Sequence, residues 1–250
     1  MKIPNTILLG SIGPNVEQWQ RIIGEKSDGI FGKRTQAATI AWQLAHGLTA
    51  DGIVGARSWS VALQRDMPSK PGGFPFVQAK HYTPGPRRGP IDLIVFHTME
   101  YPEKSDSAEW CAKYFATADR RASAHYAVDV DSVVQCVQDS DIAWHAPGAN
   151  HNGIGIEHAG YARQTRGEWL DSYSRRMLEM SASLVAGLVR KYGIPATFVD
   201  DEDLKRGGAR GITTHNCVSR AFEKGKGHWD PGPSWPSDVY LELVNAALRG

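Results

Sequence analysis

Prolines divide this chain of 250 residues into two unequal parts. Six of the 14 prolines fall between residues 67 and 90, together with four glycines, four basic residues and no acidic one. Helices and central strands exclude proline at that density, because each proline removes a backbone donor and fixes φ. We therefore predict a linker over residues 67–90, between a small domain at 1–66 and a larger one at 91–250. The second half of this linker, which includes His81 and Tyr82, could pack on the domain that follows.

The overall composition excludes several classes of protein. With 28 basic and 27 acidic residues the formal charge is +1, which argues against a dedicated nucleic-acid binder. No apolar run reaches the roughly 18 residues of a membrane span, so we expect no membrane insertion. Three scattered cysteines, Cys111, Cys136 and Cys217, are too few for a disulfide scaffold. The N-terminus lacks the apolar core and cleavage site of a signal peptide, so we expect synthesis in the cytoplasm.

The small domain contains an internal repeat. The sequence D-G-I-F-G at Asp28–Gly32 recurs as D-G-I-V-G at Asp51–Gly55. In both copies Asp-Gly predicts a turn, and we expect Ile30 and Ile53 to fill a small core. Three flanking stretches have apolar residues at helical spacing, which predicts an all-α three-helix domain. Their apolar residues are Val16, Trp19, Ile22 and Ile23; Ala37, Ile40, Ala41 and Leu44; and Trp59, Ala62 and Leu63.

This repeat resembles the type 1 peptidoglycan-binding domain over residues 8–63. The family pattern D-G-x-x-G…T…A…F/W-Q is present from Asp28 to Gln43, with Thr35, Ala38 and Trp42 at the intermediate positions. The resemblance implies that the small domain binds the bacterial cell wall. Residues 1–90 carry 11 basic and 5 acidic groups, and a cationic arm suits an anionic wall.

The larger domain mixes strands and helices, which predicts an α/β fold with a mixed sheet covered by helices. The apolar run at 91–96 predicts a buried strand, and 153–158 predicts another. Residues 124–130 and 133–137 alternate around a turn, which predicts a hairpin. Helical spacing and end signals predict helices at 110–118, 172–192 and 239–248. A further short strand is predicted at 212–214.

Several ligand-type residues lie at the ends of predicted strands or in loops. His97 ends an apolar strand, His215 follows another, and Asp230 lies in the segment H-W-D-P-G-P. Two imidazoles and a carboxylate leave one open position on a tetrahedral zinc ion, which hydrolysis needs for water or a carbonyl. Glu157 lies in an otherwise apolar strand, where partial desolvation raises a carboxyl pKa toward that of a useful general base.

Six motifs occur in order between residues 91 and 236: V-F-H-T, S-A-H-Y, A-W-H-A, G-I-G-I-E, T-T-H and W-D-P-G-P-S-W-P. Together they resemble the zinc-dependent N-acetylmuramoyl-L-alanine amidases of the phage-lysin and peptidoglycan-recognition-protein superfamily. The resemblance implies Zn²⁺ as cofactor, with His97, His215 and Asp230 as its ligands. It also implies that Glu157 activates the attacking water.

The sequence leaves several assignments open. His228 is two residues before Asp230, so both could face the metal in an extended segment, although the family position favours Asp230. The thiol of Cys217 could offer another ligand or simply pack. Many family members have a lysine at the position of His228, so we expect His228 to steady the oxyanion in its place. Another departure is Ala124, where some relatives have a tyrosine.

We expect four residues to contact the substrate. His125 could share the oxyanion or substrate role that the missing tyrosine has in some relatives. Trp144 and His145 are expected to border the groove, since an aromatic plane suits a sugar face, although Trp144 could equally be a core residue. The loop at Asn150–Asn152 is expected to border it too, with Asn152 as the contacting residue.

The resemblance implies cleavage of the amide between N-acetylmuramic acid and L-alanine. We expect a phage endolysin that acts on cell-wall peptidoglycan after release from the host, with no obligate protein partner. Two alternatives remain: a non-catalytic peptidoglycan-binding protein on the same fold, and a zinc peptidase that cuts the stem peptide.

Overall fold

The computed structural model describes residues 4–46, 48, 50–63, 74–223 and 227–249. The chain divides into two compact units, Met1–Ser69 and Lys70–Gly250. The predicted boundary at residue 66 and the start of the predicted linker, 67–73, lie outside the described residues. The three-part division at 66 and 90 therefore stays a prediction. Within the described part of the chain, no helix is both long enough and apolar enough to cross a bilayer.

The small unit contains the predicted helices: α1 (Pro14–Ile22), α2 (Lys33–Ala45) and α3 (Ala56–Ala62). Its core is built on two buried tryptophans, Trp19 and Trp59, whose rings meet edge to face with centroids 5.2 Å apart. Phe31 and Val54 fill the space between them and the two repeat loops. Val54 follows Ile53 in the second loop, and Ile53 is buried as predicted.

The predicted inner face of α2 is wrong. Leu44 is 66% exposed, and the buried residues of α2 are Thr35, Thr39 and Gln43. These polar side chains are buried at little cost because each has hydrogen-bond partners. Thr39 Oγ1, for example, accepts from the indole Nε1 of Trp19 at 2.8 Å.

The prediction for Ile30 is also wrong, because its side chain is 55% exposed. The next residue, Phe31, fills the core in its place. The Asp-Gly signal alone does not say which residues of the loop face inward, and in the second copy both Ile53 and Val54 are buried.

A buried glutamine closes each of the two repeat loops. The Nε2 of Gln20 donates to the Asp28 carboxylate (2.9 Å) and to the Ile30 carbonyl (3.0 Å). Its Oε1 accepts from the backbone N–H of Gly29 at 3.0 Å. Gln43 makes the corresponding three bonds to the second loop, at 3.0, 2.7 and 2.8 Å. The repeat is thus a repeated helix–loop unit in which an amide replaces missing backbone partners.

Replacing Gln20 with alanine is expected to destabilise the small unit by on the order of 3 kcal/mol, because it leaves buried backbone groups unpaired. Hydrogen exchange of the α1 and α2 amides in the full chain measures this loss. Gln18→Ala, on the same helix but only half-buried, is the control. Equal protection in the two variants would show that the loop does not depend on the glutamine.

The larger unit is a mixed α/β domain, as predicted. Its central sheet has the order β4-β3-β6-β2-β7, in which only β4 runs antiparallel to its neighbour. A two-stranded sheet pairs β1 with β5. The strands are β1 (Tyr82–Thr83), β2 (Leu93–Thr98), β3 (Tyr126–Val128), β4 (Val133–Gln135), β5 (Ile142–Ala143), β6 (Gly153–His158) and β7 (Gly211–Thr214). The helices are α4 (Ser107–Thr117), α5 (Arg166–Trp169), α6 (Ser172–Tyr192), α7 (Asp201–Arg206), α8 (His215–Phe222) and α9 (Ser237–Arg249).

Helices cover both faces of the central sheet. On one face Phe96 and Ile156 pack with Met177 of α6 and Tyr240 of α9. The other face is covered by α4, which packs on β3 and β4, and by α7 and α8, which pack near β2. Because side chains alternate along a strand, odd-numbered residues of β2 and β6 face α4 and α8.

The second half of the predicted linker lies against this unit. The N–H of Val77 donates to the Gln135 carbonyl (2.9 Å), and that of Ala79 donates to the Cys136 carbonyl (2.8 Å). Tyr82 pairs with Ala143 through β1 and β5. These contacts group residues 77–83 with the larger unit.

Candidate metal centre

The sheet topology brings the predicted ligand residues together. Strands β7, β2, β6 and β3 run parallel, so their carboxyl ends share one edge. His97, near the end of β2, is paired in register with Glu157 of β6. On the other side Phe96 is paired with Thr214, the last residue of β7, so that His215 enters this edge as the first residue of α8.

His97, His215 and Asp230 form a compact buried cluster. The two Nδ1 atoms are 3.1 Å apart, and Asp230 Oδ2 lies 3.2 Å from Nδ1 of His97 and 3.3 Å from Nδ1 of His215. Among the described residues this is the one group of His, Cys, Asp or Glu with three donor atoms within 4.8 Å of one another. Two facing imidazole nitrogens at this distance need a proton or a cation between them.

The electrostatics of the cluster favour its cation-binding form. Burial, together with repulsion from His215, lowers the pKa of His97 to about 4, so this ring is neutral at pH 7. Burial alone would raise the pKa of Asp230, but hydrogen bonds from His215 and His97 hold it well below its ordinary value. A neutral imidazole and a charged carboxylate are the forms that bind metals. The three donors could therefore hold a divalent cation.

Glu157 lies beside this cluster. Its Oε2 is enclosed and has no hydrogen-bond partner among the described residues. Burial raises the pKa of Glu157 well above its ordinary value, with repulsion from Asp230 and Glu100 adding to the effect. Arg120 acts in the opposite direction. A carboxyl with a raised pKa, close to a cation site, can take and return a proton near neutral pH.

The two alternative ligands lie outside the cluster. His228 is half-exposed, stacks on His215 with ring centroids 4.4 Å apart, and has its Nδ1 3.7 Å from Asp230 Oδ1. Cys217 is buried in α8 and packs against Val218 and its neighbours. Neither belongs to the group of three donors found in the described part of the chain.

A cleft of about 590 Å³ opens over the cluster. Trp144 lines it, with its Nε1 bonded to Thr83 Oγ1 at 2.9 Å. The sequence interpretation missed Arg120 and Arg121, two exposed residues on the cleft wall. The guanidinium of Arg121 lies 5.1 Å from the centre of the Trp144 ring. The adjacent basic pair in the loop after α4 was the available signal. Trp110, Tyr114 and Phe115 of α4 also line the cleft.

Two predicted substrate contacts lie away from the cleft lining. His125 is fully buried, with Nε2 2.7 Å from the Arg87 guanidinium and Nδ1 accepting from the Gly155 N–H at 3.0 Å. The carbonyl of Asn152 accepts from the N–H of Leu93 at the start of β2, which is the opposite edge of the sheet.

The other predicted loop residues are closer to the cluster. Asn150 lines the cleft, and His145 is a buried wall residue next to His97. Asn150 and Asn152 are two residues apart in the same loop, and the sequence pattern does not resolve which of them faces the cleft.

Comparison with known families agrees with this fold. Residues 87–233, more than half of the chain, match the N-acetylmuramoyl-L-alanine amidase family, and the chain belongs to this family. Residues 15–61 match the peptidoglycan binding domain family. The resemblances inferred from the sequence motifs are therefore confirmed.

Individual proteins are similar to this chain in sequence or in fold. The N-acetylmuramoyl-L-alanine amidase A of Achromobacter lyticus is 29% identical over 161 residues, which cover 61% of this chain and 82% of the relative. The crystal structure of the Staphylococcus aureus hydrolase AmiA in complex with its ligand aligns with a TM-score of 0.54 and 18% identity, over 77% of this chain and 89% of that one. The crystal structure of an AmpD derivative aligns with a TM-score of 0.50 and 21% identity, over 72% of this chain and 98% of that one. At these identities the solved structures establish the fold.

Proposed function

We propose that this chain uses zinc to hydrolyse the amide between the lactyl group of N-acetylmuramic acid and the L-alanine of the stem peptide. One observation carries the proposal. The donor atoms of His97, His215 and Asp230 lie 3.1 to 3.3 Å apart at the base of an open cleft, next to the raised-pKa carboxyl of Glu157.

The three donors fit zinc. Bonds of about 2.0–2.2 Å in a tetrahedral site separate neighbouring ligand atoms by roughly 3.3–3.6 Å, close to the spacing found here. Two nitrogens and one oxygen are a hydrolytic zinc set that leaves a position open. A zinc ion bound there supplies a Lewis acid that polarises a carbonyl and acidifies water.

Glu157 is the proposed general base. It takes a proton as the water oxygen adds to the amide carbonyl carbon, and it returns that proton to the nitrogen as the C–N bond breaks. The products are a lactyl carboxylic acid on the sugar and a stem peptide with a free L-alanine amine. A base whose pKa is raised toward neutrality is effective in both directions.

We assign His228 to the oxyanion. Its ring lines the cleft and stacks on His215, which places an imidazole donor beside the cluster. His228→Ala is expected to lower kcat by about 10²-fold, as is typical when one oxyanion donor is lost. His228→Lys, which restores a cationic donor, should recover most of the rate. Steady-state kinetics on wall fragments with zinc content held equal measures both, and an unchanged kcat in His228→Ala would remove this residue from the mechanism.

Arg120 is expected to tune Glu157. Its positive charge favours the Glu157 carboxylate, so Arg120→Ala raises the pKa of Glu157 further. Since the base form is then lost at higher pH, the acidic limb of the kcat/KM profile should move upward, by less than about one pH unit for a solvent-screened residue. Arg121→Ala is the matched control, since Arg121 shares the cleft wall but faces Trp144. Identical limbs in both variants would contradict the assignment.

We propose that the small unit holds the enzyme on the wall and so raises the local substrate concentration. The match of residues 15–61 to a peptidoglycan binding domain supports this role. The pairing of a wall-binding and a wall-cutting part suits a phage endolysin that reaches the host wall from the cytoplasm after release. The charge split at residue 90 supports the same division.

Product analysis tests the proposed reaction. Digestion of purified walls should release new L-alanine amino termini without new reducing sugar ends. New amino termini on other stem residues would instead indicate a peptidase, and new reducing ends would indicate a glycosidase. Walls that stay intact with zinc-loaded protein would favour a binding protein without catalysis.

A further inference from the structure

His145, in the A-W-H-A motif, has a contact that the proposed reaction does not use. Its imidazole is buried, and its Nδ1 lies 3.1 Å from Nε2 of His97. The two rings are perpendicular, at 88°, with centroids 5.2 Å apart. The edge of the His145 ring therefore contacts Nε2 of His97, whereas Nδ1 of His97 belongs to the metal cluster.

Two glycines of the G-I-G-I-E motif make room for this ring. A Cβ at Gly155 would lie 2.5 Å from Cγ of His145, closer than real Cβ atoms approach other atoms. A Cβ at Gly153 would lie 3.3 Å from Cε1 of the same ring. The imidazole therefore packs against the bare backbone of β6, in a slot that any larger residue at position 155 would close.

The loop that carries His145 is fixed independently. The side-chain oxygen of Asn150 accepts from the backbone N–H groups of His145 (2.9 Å) and Ala146 (2.7 Å). The main chain and the ring of His145 are thus both held before any metal arrives. Such a preset group can orient its neighbour without moving itself.

The proton positions follow from the cluster. Nδ1 of His97 faces His215 and Asp230, so it must be unprotonated when it binds a metal. The proton of His97 is then on Nε2, which donates to Nδ1 of His145. Histidine ligands generally donate their second N–H to a fixed acceptor, which sets both tautomer and ring orientation.

We infer that His145 is a positioning residue, which holds the His97 ring and its Nε2–H tautomer in the form that binds the metal. The inference rests on the zinc site of the proposed function. It accounts for two motif positions that the reaction leaves unused, His145 and Gly155, and for the loop residue Asn150.

Zinc affinity of the full chain, measured by competition with a chelator, tests this inference. His145→Leu, which fills the slot but cannot accept a hydrogen bond, is expected to bind zinc about 10–100-fold more weakly. His145→Asn, whose amide oxygen can accept near the position of Nδ1, should stay within about threefold of wild type. His151→Leu, exposed on the same loop, is the control. Equal affinity in His145→Leu and wild type, or equal losses in the leucine and asparagine variants, would overturn the inference.

Gly155→Ala tests the slot with His145 intact. It should weaken zinc binding to a similar degree, whereas Gly187→Ala, on α6 with open space around its Cβ, should not. An unchanged affinity in Gly155→Ala would contradict the inference. Thermal unfolding of the metal-free variants separates this effect from a general loss of stability, which would lower the melting temperature without changing zinc affinity in the folded protein.

Wild-type protein provides a test that no folding defect can affect. In the zinc-loaded chain, nitrogen NMR should show His145 with its proton on Nε2 and a free Nδ1. The opposite tautomer would overturn the inference while zinc binding itself, and with it the proposed function, stands. A wild-type chain that binds no zinc would instead reject the proposed function, and the inference with it.

Discussion

Glu157→Gln is expected to lower kcat by about 10²–10⁴-fold while zinc binding is retained, because a glutamine amide cannot take the proton of the attacking water. The variant keeps the shape of the side chain, and Glu157 is outside the group of three donor atoms. Kinetics on wall fragments and metal analysis of the same sample measure the two properties together.

Glu100→Gln is the matched control. Glu100 also lines the cleft, but its Oε1 already accepts from Thr98 Oγ1 (2.8 Å) and the Ala162 N–H (2.7 Å). A glutamine oxygen can accept the same bonds, so kcat should change little. A rate for Glu157→Gln within tenfold of wild type, with zinc bound, would place the general base elsewhere.

Glu157→Gln should also stabilise the metal-free protein at neutral pH. Burial raises the folded-state pKa of Glu157 above its unfolded value, so ionisation costs stability at every pH above the unfolded value. Glutamine has no such cost. The melting temperature of metal-free Glu157→Gln should therefore exceed that of wild type at pH 7, and the difference should vanish below the ordinary carboxyl pKa. Gained stability with lost activity is the pattern of a strained catalytic group.

The sequence predicts the parts of this site that depend on strand ends. Short apolar runs identify β2 and β6, and polar residues at their carboxyl ends gather at one edge of a parallel sheet. Strand ends predict His97, Glu157 and His215 in this way, and the structure brings all three to that edge. Asp230 lies in a loop with no periodicity, so the sequence pattern offers it as a carboxylate ligand, and the resemblance favours it over His228.

Contacts between distant polar residues were beyond the sequence pattern. His145 and His97 are 48 positions apart, and Arg87 and His125 are 38 apart. Periodicity reports which face of an element is apolar, and it carries no signal for a hydrogen bond between two loops. The same limit explains the error in α2, where Gln43 is buried because a loop ten residues later provides its partner at Ile53.

Asp230→Asn is expected to weaken zinc binding by at least about 100-fold, more than the loss of a group that merely orients a ligand. Asparagine keeps the size of the side chain but removes the negative charge that the cluster uses to balance a cation. Activity should fall in parallel, by more than about 10³-fold at limiting zinc, because both carbonyl polarisation and water activation are lost. Excess zinc should restore part of it.

The choice between Asp230 and His228 as third ligand is decided by the same experiment. His228→Ala should keep zinc and lose rate, whereas Asp230→Asn should lose zinc, because the Asp230 carboxylate lies within 3.3 Å of both Nδ1 atoms and completes the group of three donors. Cys217→Ser, a change in the packing of α8, is the control for both and should keep zinc. If Asp230→Asn retained zinc and His228→Ala released it, the third ligand would be the histidine, and the oxyanion would need another donor from the cleft wall.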